Sequence, residues 1–169
     1  QRQIYDWLVL HGEDVLTGDS FFHLNALGEA PLPGLNMCGA GRVVCLIDPV
    51  GDVYACPFVI HDEFLAGNIR DVGGFTEVWR RSELFSSLRE PDSEGACTSC
   101  GSYDACQGGC MASKFFVGLE LTDPDPECVL GNAEPLLAAL DAGASVPRPM
   151  ADHSRPGVPV PSPVALRPT

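Results

Sequence analysis

Cysteines are the residues of this sequence that are most able to do chemistry, and all of them lie between positions 38 and 128. There are eight, spaced as Cys38-x6-Cys45-x10-Cys56 and Cys97-x2-Cys100-x5-Cys106-x3-Cys110-x17-Cys128. Eight thiols make two sets of four, which is the number that a cubane iron–sulfur cluster takes. Glycines at positions 101, 108 and 109 would let the backbone wrap closely around inorganic sulfide. The spacing therefore favours two iron–sulfur clusters.

Two other uses of the cysteines stay open. Disulfides need an oxidising compartment, and nothing in the sequence indicates export. Structural zinc takes four-cysteine sites, usually built from two Cys-x2-4-Cys knuckles. Cys97 and Cys100 form one tight knuckle, and Cys106 and Cys110 form an acceptable second one. Unrelated core thiols would show no such regular spacing.

The elements that must position these thiols belong to a small, loop-rich α+β fold. Residues 42–47 are apolar and β-branched, residues 48–51 (DPVG) favour a turn, and residues 52–56 alternate, which together predict a β-hairpin. Residues 75–89 carry apolar side chains at near-helical spacing, which predicts a helix packed on the hairpin. Residues 101–118 show little regular pattern, so we expect an irregular segment there.

The complete pattern, Cys38-x12-Gly51-x4-Cys56 with the second run and Cys128, resembles the SPASM domain of radical SAM enzymes. The resemblance covers about residues 36–134. Around the cysteines, the stretches CGAGRVVCLIDPVGDVYACPF and CTSCGSYDACQGGCMASKFF are most similar to the C-terminal part of the mycofactocin maturases.

The resemblance implies two auxiliary [4Fe–4S] clusters, and no catalytic residue or other cofactor-binding residue in this chain. By position, cluster I would take Cys38, Cys45, Cys56 and Cys110, and cluster II would take Cys97, Cys100, Cys106 and Cys128. Two-cluster ferredoxins likewise use the last cysteine of a run for the other cluster. Such interleaving would tie the hairpin to the glycine-rich segment.

The radical SAM motif Cys-x3-Cys-x2-Cys is missing from this sequence, because no cysteine lies three positions after Cys110. The resemblance therefore implies that S-adenosylmethionine and a third [4Fe–4S] cluster bind upstream, in a partial TIM-like barrel. This chain alone is not expected to be catalytically competent. Pro57 stands where sulfatase-maturing relatives have an aspartate base, so formylglycine formation is disfavoured.

For the whole enzyme, an oxidoreductase or lyase, the resemblance implies peptide maturation. A C-terminal tyrosine would be oxidatively decarboxylated and crosslinked through a carbon–carbon bond to valine, while this chain relays electrons from the substrate radical. Expected partners are the ribosomally made precursor peptide, its peptide-binding chaperone and an electron donor or acceptor. Alternatives are a stand-alone iron–sulfur electron carrier and a zinc-binding interaction module.

Composition limits the remaining function classes. The net charge is -13, with 23 acidic and 10 basic residues, and such a surface repels the phosphates of nucleic acids. No stretch is long and apolar enough to cross a membrane, and no leader precedes Gln1, so we expect a cytoplasmic location.

The chain divides into four predicted regions. Residues 1–35 are interpreted as a connector from an N-terminal barrel, and residues 36–134 as the twin-cluster domain. Residues 135–146 follow as a C-terminal helix, which helix formers from Glu134 and a stop at Gly143 indicate. Residues 147–169 are rich in proline and predicted to be disordered.

Further predictions concern residues other than the cysteines. Isolated histidines are usually surface or core residues, so none is predicted to be a ligand; they are His11, His23, His61 and His153. Lys114, Phe115 and Phe116 follow Cys110 and are predicted to cover a cluster, not to bind substrate.

Overall fold

The computed structural model describes residues 2–12, 20–28 and 37–143. Within them the helices are α1 (Arg2–His11), α2 (Gly74–Arg81), α3 (Glu83–Arg89), α4 (Tyr103–Cys106), α5 (Met111–Val117) and α6 (Glu134–Ala142). The strands are β1 (Leu46–Ile47), β2 (Asp52–Tyr54) and β3 (Leu65–Asn68), and 3-10 helices cover Ser20–Leu27, Asp62–Phe64 and Gly95–Cys97. This confirms a small α+β fold, while the predicted disordered tail at 147–169 lies outside the described residues. Within the described ranges, no helix combines the length and apolar character that a membrane crossing requires.

The predicted hairpin is present, and a third strand extends it. Strands β1 and β2 pair antiparallel, with Ile47 opposite Val53. The carboxylate of Asp48 closes the turn, because its Oδ1 accepts hydrogen bonds from the backbone N–H groups of Val50 and Asp52, each at 2.9 Å. Strand β3 pairs with the other edge of β2, which makes β2 the central strand.

The prediction of one helix over residues 75–89 was wrong, because Ser82 divides that segment into α2 and α3. Ser82 has an extended backbone (φ -60°, ψ 125°), and its side chain accepts a hydrogen bond from the N–H of Phe85. Serine is a favoured N-cap residue, so it ends one helix and starts the next without disturbing the apolar spacing. Both helices still pack on the sheet, with Val78 and Phe85 buried.

The expectation of an irregular segment over residues 101–118 was also wrong, since α4 and α5 lie within it. Helix α5 buries Met111, Ala112 and Phe115 on one side. The ring of Phe115 packs edge-on against Phe64, with ring centroids 5.0 Å apart. A helix of seven residues is too short to show a clear periodicity, and tertiary packing accounts for it.

Two apolar clusters hold the elements together. The larger one joins the sheet, α2, α3 and α5; its most enclosed members include Val53, Val59, Phe64 and Phe85. The smaller one joins α1 to the following 3-10 helix through Tyr5, Leu8 and Leu24. The helix predicted from Glu134 with a stop at Gly143 is confirmed as α6.

Candidate metal centres

The first group of cysteines surrounds the β-hairpin. Cys45 directly precedes β1, and Cys56 follows β2 by two residues. Cys110 comes from the distant second run and is the N-cap residue of α5. Cys38, Cys45 and Cys110 all pack against the core cluster that contains Cys56. The hairpin and α5 therefore bring separate parts of the sequence to one site.

The second group surrounds one pocket. Cys97, Cys100, Cys106 and Cys128 all line it. Cys97 ends a 3-10 helix, and the N–H of Cys100 donates to its carbonyl at 3.1 Å. Cys106 ends α4, and the N–H of Cys128 donates to the Asp125 carbonyl at 3.0 Å. Short helices and tight turns thus direct these residues to the same pocket.

Three thiols of the first group, those of Cys38, Cys56 and Cys110, interact electrostatically. Burial raises the pKa of Cys56 to about 11, with contributions in the same direction from the thiols of Cys38 and Cys110. Burial also raises the pKa of Cys38, and Cys110 adds to that rise. Backbone N–H groups of Ala40 and Met111 hydrogen-bond the Cys38 sulfur and oppose the rise, because they favour the thiolate.

The thiols of the second group also interact electrostatically. Burial raises the pKa of Cys97 to about 11, and the thiols of Cys106, Cys128 and Cys100 contribute to the rise. Burial also raises the pKa of Cys106, which the N–H of Gly108 opposes by a hydrogen bond to the sulfur. Metal ligation requires thiolates, so a bound cationic centre would supply the charge that these buried thiols need to ionise.

Cys45 differs from the other members of the first group. Burial raises the pKa of its thiol, and among the residues that the structure describes no neighbouring thiol contributes to that rise. Its side chain is only partly buried. The thiol of Cys45 therefore lacks the electrostatic interaction that links the thiols of Cys38, Cys56 and Cys110.

The donor set fits iron–sulfur clusters. All eight cysteines are free thiols. Across the described ranges, no three His, Cys, Asp or Glu side chains stand close enough together to hold a single metal ion. Eight thiols are the number of ligands that two cubane clusters take. Backbone N–H groups directed at sulfur are the hydrogen bonds that tune such clusters.

Asp125 connects the two groups, although no motif or spacing in the sequence predicted this role. Its carboxylate is buried, with 4% of the residue exposed, and lines the second pocket. Its Oδ2 accepts a hydrogen bond from the N–H of Cys110 at 2.6 Å, and its Oδ1 accepts one from the N–H of Glu127 at 2.8 Å. Asp125 therefore holds the segment that carries Cys128 against the start of α5.

Arg42 makes a second connection. Its guanidinium donates to the carbonyl of Cys38 at 2.9 Å, to the carbonyl of Arg89 at 3.1 Å and to Oε1 of Gln107 at 2.7 Å. Gln107 directly follows Cys106 and has a left-handed backbone, with φ 47°. Arg42 and Gln107 also line a cavity of about 280 Å³, together with Cys38. The rigid guanidinium thus joins the loop of the first run to that of the second.

Of the histidines that the structure describes, His23 shares a pocket with the second group of cysteines. It is buried in the 3-10 helix after α1 and lines the second pocket. His11 is exposed at the end of α1, and His61 contacts Glu63. His153 lies outside the described residues. That none of them is a ligand stays a prediction.

Comparison with known proteins agrees with the cysteine pattern. A family model described as an iron–sulfur cluster-binding domain, SPASM, matches residues 38–101, so Cys106, Cys110 and Cys128 lie beyond the matched part. The chain is 65% identical over 172 residues to the mycofactocin maturase MftC of Mycobacterium tuberculosis, which covers 99% of this chain and 43% of that protein. It is 67% identical over 156 residues to the mycofactocin maturase MftC of Mycolicibacterium smegmatis, covering 92% of this chain and 39% of that protein.

A solved structure, native anSMEcpe with bound AdoMet and Cp18Cys peptide, has a TM-score of 0.43 and 17% identity, covering 85% of this chain and 42% of that chain. This chain spans less than half the length of the two curated relatives named above. The predicted resemblance to SPASM domains and to the mycofactocin maturases is confirmed.

Proposed function

Because this chain carries a SPASM iron–sulfur domain and resembles radical SAM mycofactocin maturases over nearly its whole length, we propose that it is the auxiliary-cluster part of such a maturase. The observation that carries the proposal is the division of the thiols into two neighbouring groups. Cys38, Cys56 and Cys110 interact with one another, and the second group lines one pocket; its members are Cys97, Cys100, Cys106 and Cys128.

For the ligand sets, we propose the assignment that the family resemblance implies. Cluster I takes Cys38, Cys45, Cys56 and Cys110, and cluster II takes Cys97, Cys100, Cys106 and Cys128. The crossing of Cys110 into the first set is supported by its interactions with Cys38 and Cys56. Cys45 completes the first set because it directly precedes β1. No neighbouring thiol of the described residues contributes to the pKa of its own thiol.

The chain's own residues prepare both centres. Backbone N–H groups of Ala40, Met111 and Gly108 donate to cysteine sulfurs and stabilise the thiolate form. Apolar packing keeps water from Cys56 and Cys97, which are buried. When bound, fully ligated clusters supply outer-sphere electron transfer, which needs no open coordination position.

In the whole enzyme, this part relays electrons released by the substrate radical. The substrate is a precursor peptide that ends in Val-Tyr, whose tyrosine is decarboxylated oxidatively and joined to the valine by a carbon–carbon bond. S-adenosylmethionine and a third cluster bind in the part of the enzyme that this chain does not include. A peptide-binding chaperone delivers the precursor, and the enzyme works in the cytoplasm.

The test uses the full-length protein that contains this chain. Cys97→Ser and Cys128→Ser should each lower the iron content by about four atoms per chain, one cubane's worth. Mass spectrometry of the Val-Tyr peptide after incubation with S-adenosylmethionine and a reductant should show loss of the crosslinked product. Ser99→Ala is the matched control, because Ser99 is exposed between Cys97 and Cys100 and should change neither readout. Full iron content in both cysteine variants would contradict the proposal.

Two alternatives predict different observations. A stand-alone electron carrier would bind iron and sulfide, but its gene would encode no upstream Cys-x3-Cys-x2-Cys motif. A zinc-binding interaction module would give colourless protein with stoichiometric zinc.

A further inference from the structure

Lys114 is a buried cation between the two groups of thiols, and it is the only lysine in the sequence. Nine of the ten basic residues are arginines, in a chain whose net charge is -13. Lys114 lies on α5, and only 3% of it is exposed. The backbone N–H of Lys114 donates to the carbonyl of Cys110, so Lys114 lies one helical turn after that cysteine. Burying an ammonium costs free energy unless other groups compensate its charge.

The position of the ammonium is well defined. Nζ donates a hydrogen bond to the carbonyl of Leu121 at 2.9 Å. It also lies 3.2 Å from the position that a Cβ would take at Gly108, between Cys106 and Cys110. With Cys38 and Gly109 it lines the cavity beside the first group. The charge therefore stands next to the segment that passes from one group to the other.

The charged neighbours of Lys114 come from both groups. Burial lowers its pKa, while Asp125, Cys97, Cys38 and Asp123 act in the opposite direction and favour the ammonium. Cys97 belongs to the second group and Cys38 to the first. The ammonium consequently lies within electrostatic reach of both sites.

We propose that Lys114 raises the reduction potentials of both clusters, by stabilising the negative charge that each gains when it accepts an electron. This inference rests on the proposed function. A [4Fe–4S]²⁺ cluster with four thiolates carries a net charge of about -2, and adding one electron makes it about -3. A nearby buried cation stabilises the more negative state more strongly, because the interior screens charge poorly. Net charge around a cluster is among the factors that set its potential.

A purely structural role predicts something different. Lys114 also holds the Leu121 segment by its hydrogen bond, so its removal will lower stability whether or not it tunes the clusters. The reduction potential separates the two roles, because it responds to the charge of the side chain. Neutralising Asp125 removes a negative charge, which is the opposite of removing the positive charge of Lys114. The Asp125 carboxylate is buried, lines the second pocket and accepts a hydrogen bond from the N–H of Cys110.

The experiment measures reduction potentials of the full-length protein by anaerobic titration with dithionite, followed by electron paramagnetic resonance. Iron and sulfide are quantified first in every sample. In Lys114→Met the potentials of both auxiliary clusters should become more negative, and in Lys114→Arg they should stay near the wild-type values. Asp125→Asn should make them more positive. Arg81→Gln, which removes an exposed charge on α2, should leave them unchanged.

Unchanged potentials in Lys114→Met with full iron content would overturn the inference and leave the proposed function intact. If Lys114→Met loses its clusters, the reduction potentials of Asp125→Asn provide the test. Potentials in Asp125→Asn that equal those of the wild type would then overturn the inference. An equal shift in Arg81→Gln would also overturn it, because the effect would then not be local. Wild-type protein without iron and sulfide would instead contradict the proposed function.

Discussion

Asp125 Oδ2 accepts a hydrogen bond from the backbone N–H of Cys110 at 2.6 Å. The two residues lie fifteen positions apart in the sequence, and each is next to a different group of thiols. Asp125 lies three residues before Cys128 in the second group, while Cys110 interacts with Cys38 in the first. One carboxylate thus holds both candidate centres in a fixed relationship.

Replacing Asp125 with alanine should destabilise the protein. The N–H groups of Cys110 and Glu127 would lose their hydrogen bonds to the carboxylate, and a hydrogen bond to a charged group contributes about 1.5–3 kcal/mol. Asp125→Asn keeps an acceptor oxygen and should lose less stability. Anaerobic denaturant unfolding of the two variants measures the difference, and equal loss in both would show that the hydrogen bonds are not the cause.

Gly109→Ala should be strongly destabilising, because Gly109 has φ +92° and a Cβ there would overlap the Asp125 carboxylate. A positive φ alone costs a residue with a side chain about 1 kcal/mol, and the overlap would displace Asp125 from Cys110. Gly95→Ala is the matched control for the backbone cost, since it has φ +59° and no atom within 4 Å of a Cβ. Melting temperatures of both variants should show the larger loss in Gly109→Ala; similar losses would contradict the overlap.

Phe85→Ala should lower the free energy of unfolding by about 3–5 kcal/mol, as removal of a large aromatic core side chain does. Phe85 is fully buried, and its ring packs edge-on against Trp79 at 5.4 Å. Val72→Ala is the control, because Val72 is 98% exposed and should change stability by less than about 0.5 kcal/mol. Denaturant titration compares them, and a small loss in Phe85→Ala would mean that α3 does not pack as described.

Cys45→Ser should remove less iron than Cys56→Ser. The thiol of Cys56 interacts with those of Cys38 and Cys110, whereas no neighbouring thiol of the described residues contributes at Cys45. Three remaining thiolates should retain cluster I in Cys45→Ser and leave one iron open to an added small ligand. Iron analysis and spectroscopy with added imidazole test this, and an iron loss as large as that of Cys56→Ser would contradict it.

Sequence reasoning succeeded where a local signal was strong. The hairpin was predictable because Asp48 and Gly51 carry turn chemistry between two apolar stretches. The helix Glu134–Ala142 was predictable from helix formers followed by Gly143. The grouping of cysteines was implied by the resemblance, and the electrostatic interactions among most of them agree with it.

The rest depends on contacts between distant residues. Ser82 breaks a helix whose apolar spacing continues across the break, so periodicity alone did not reveal it. Asp125 lies in a stretch of alternating acidic and proline residues and becomes significant only when Cys110 approaches it. Lys114 was predicted to cover a cluster, but its location between both groups required the packing of α5.

Iron and acid-labile sulfide analysis of this chain, prepared without oxygen, tests the central claim most directly. The two-cluster account predicts brown protein with about eight irons and eight sulfides per chain. Colourless protein that contains stoichiometric zinc, or cysteines that are paired as disulfides, would contradict it.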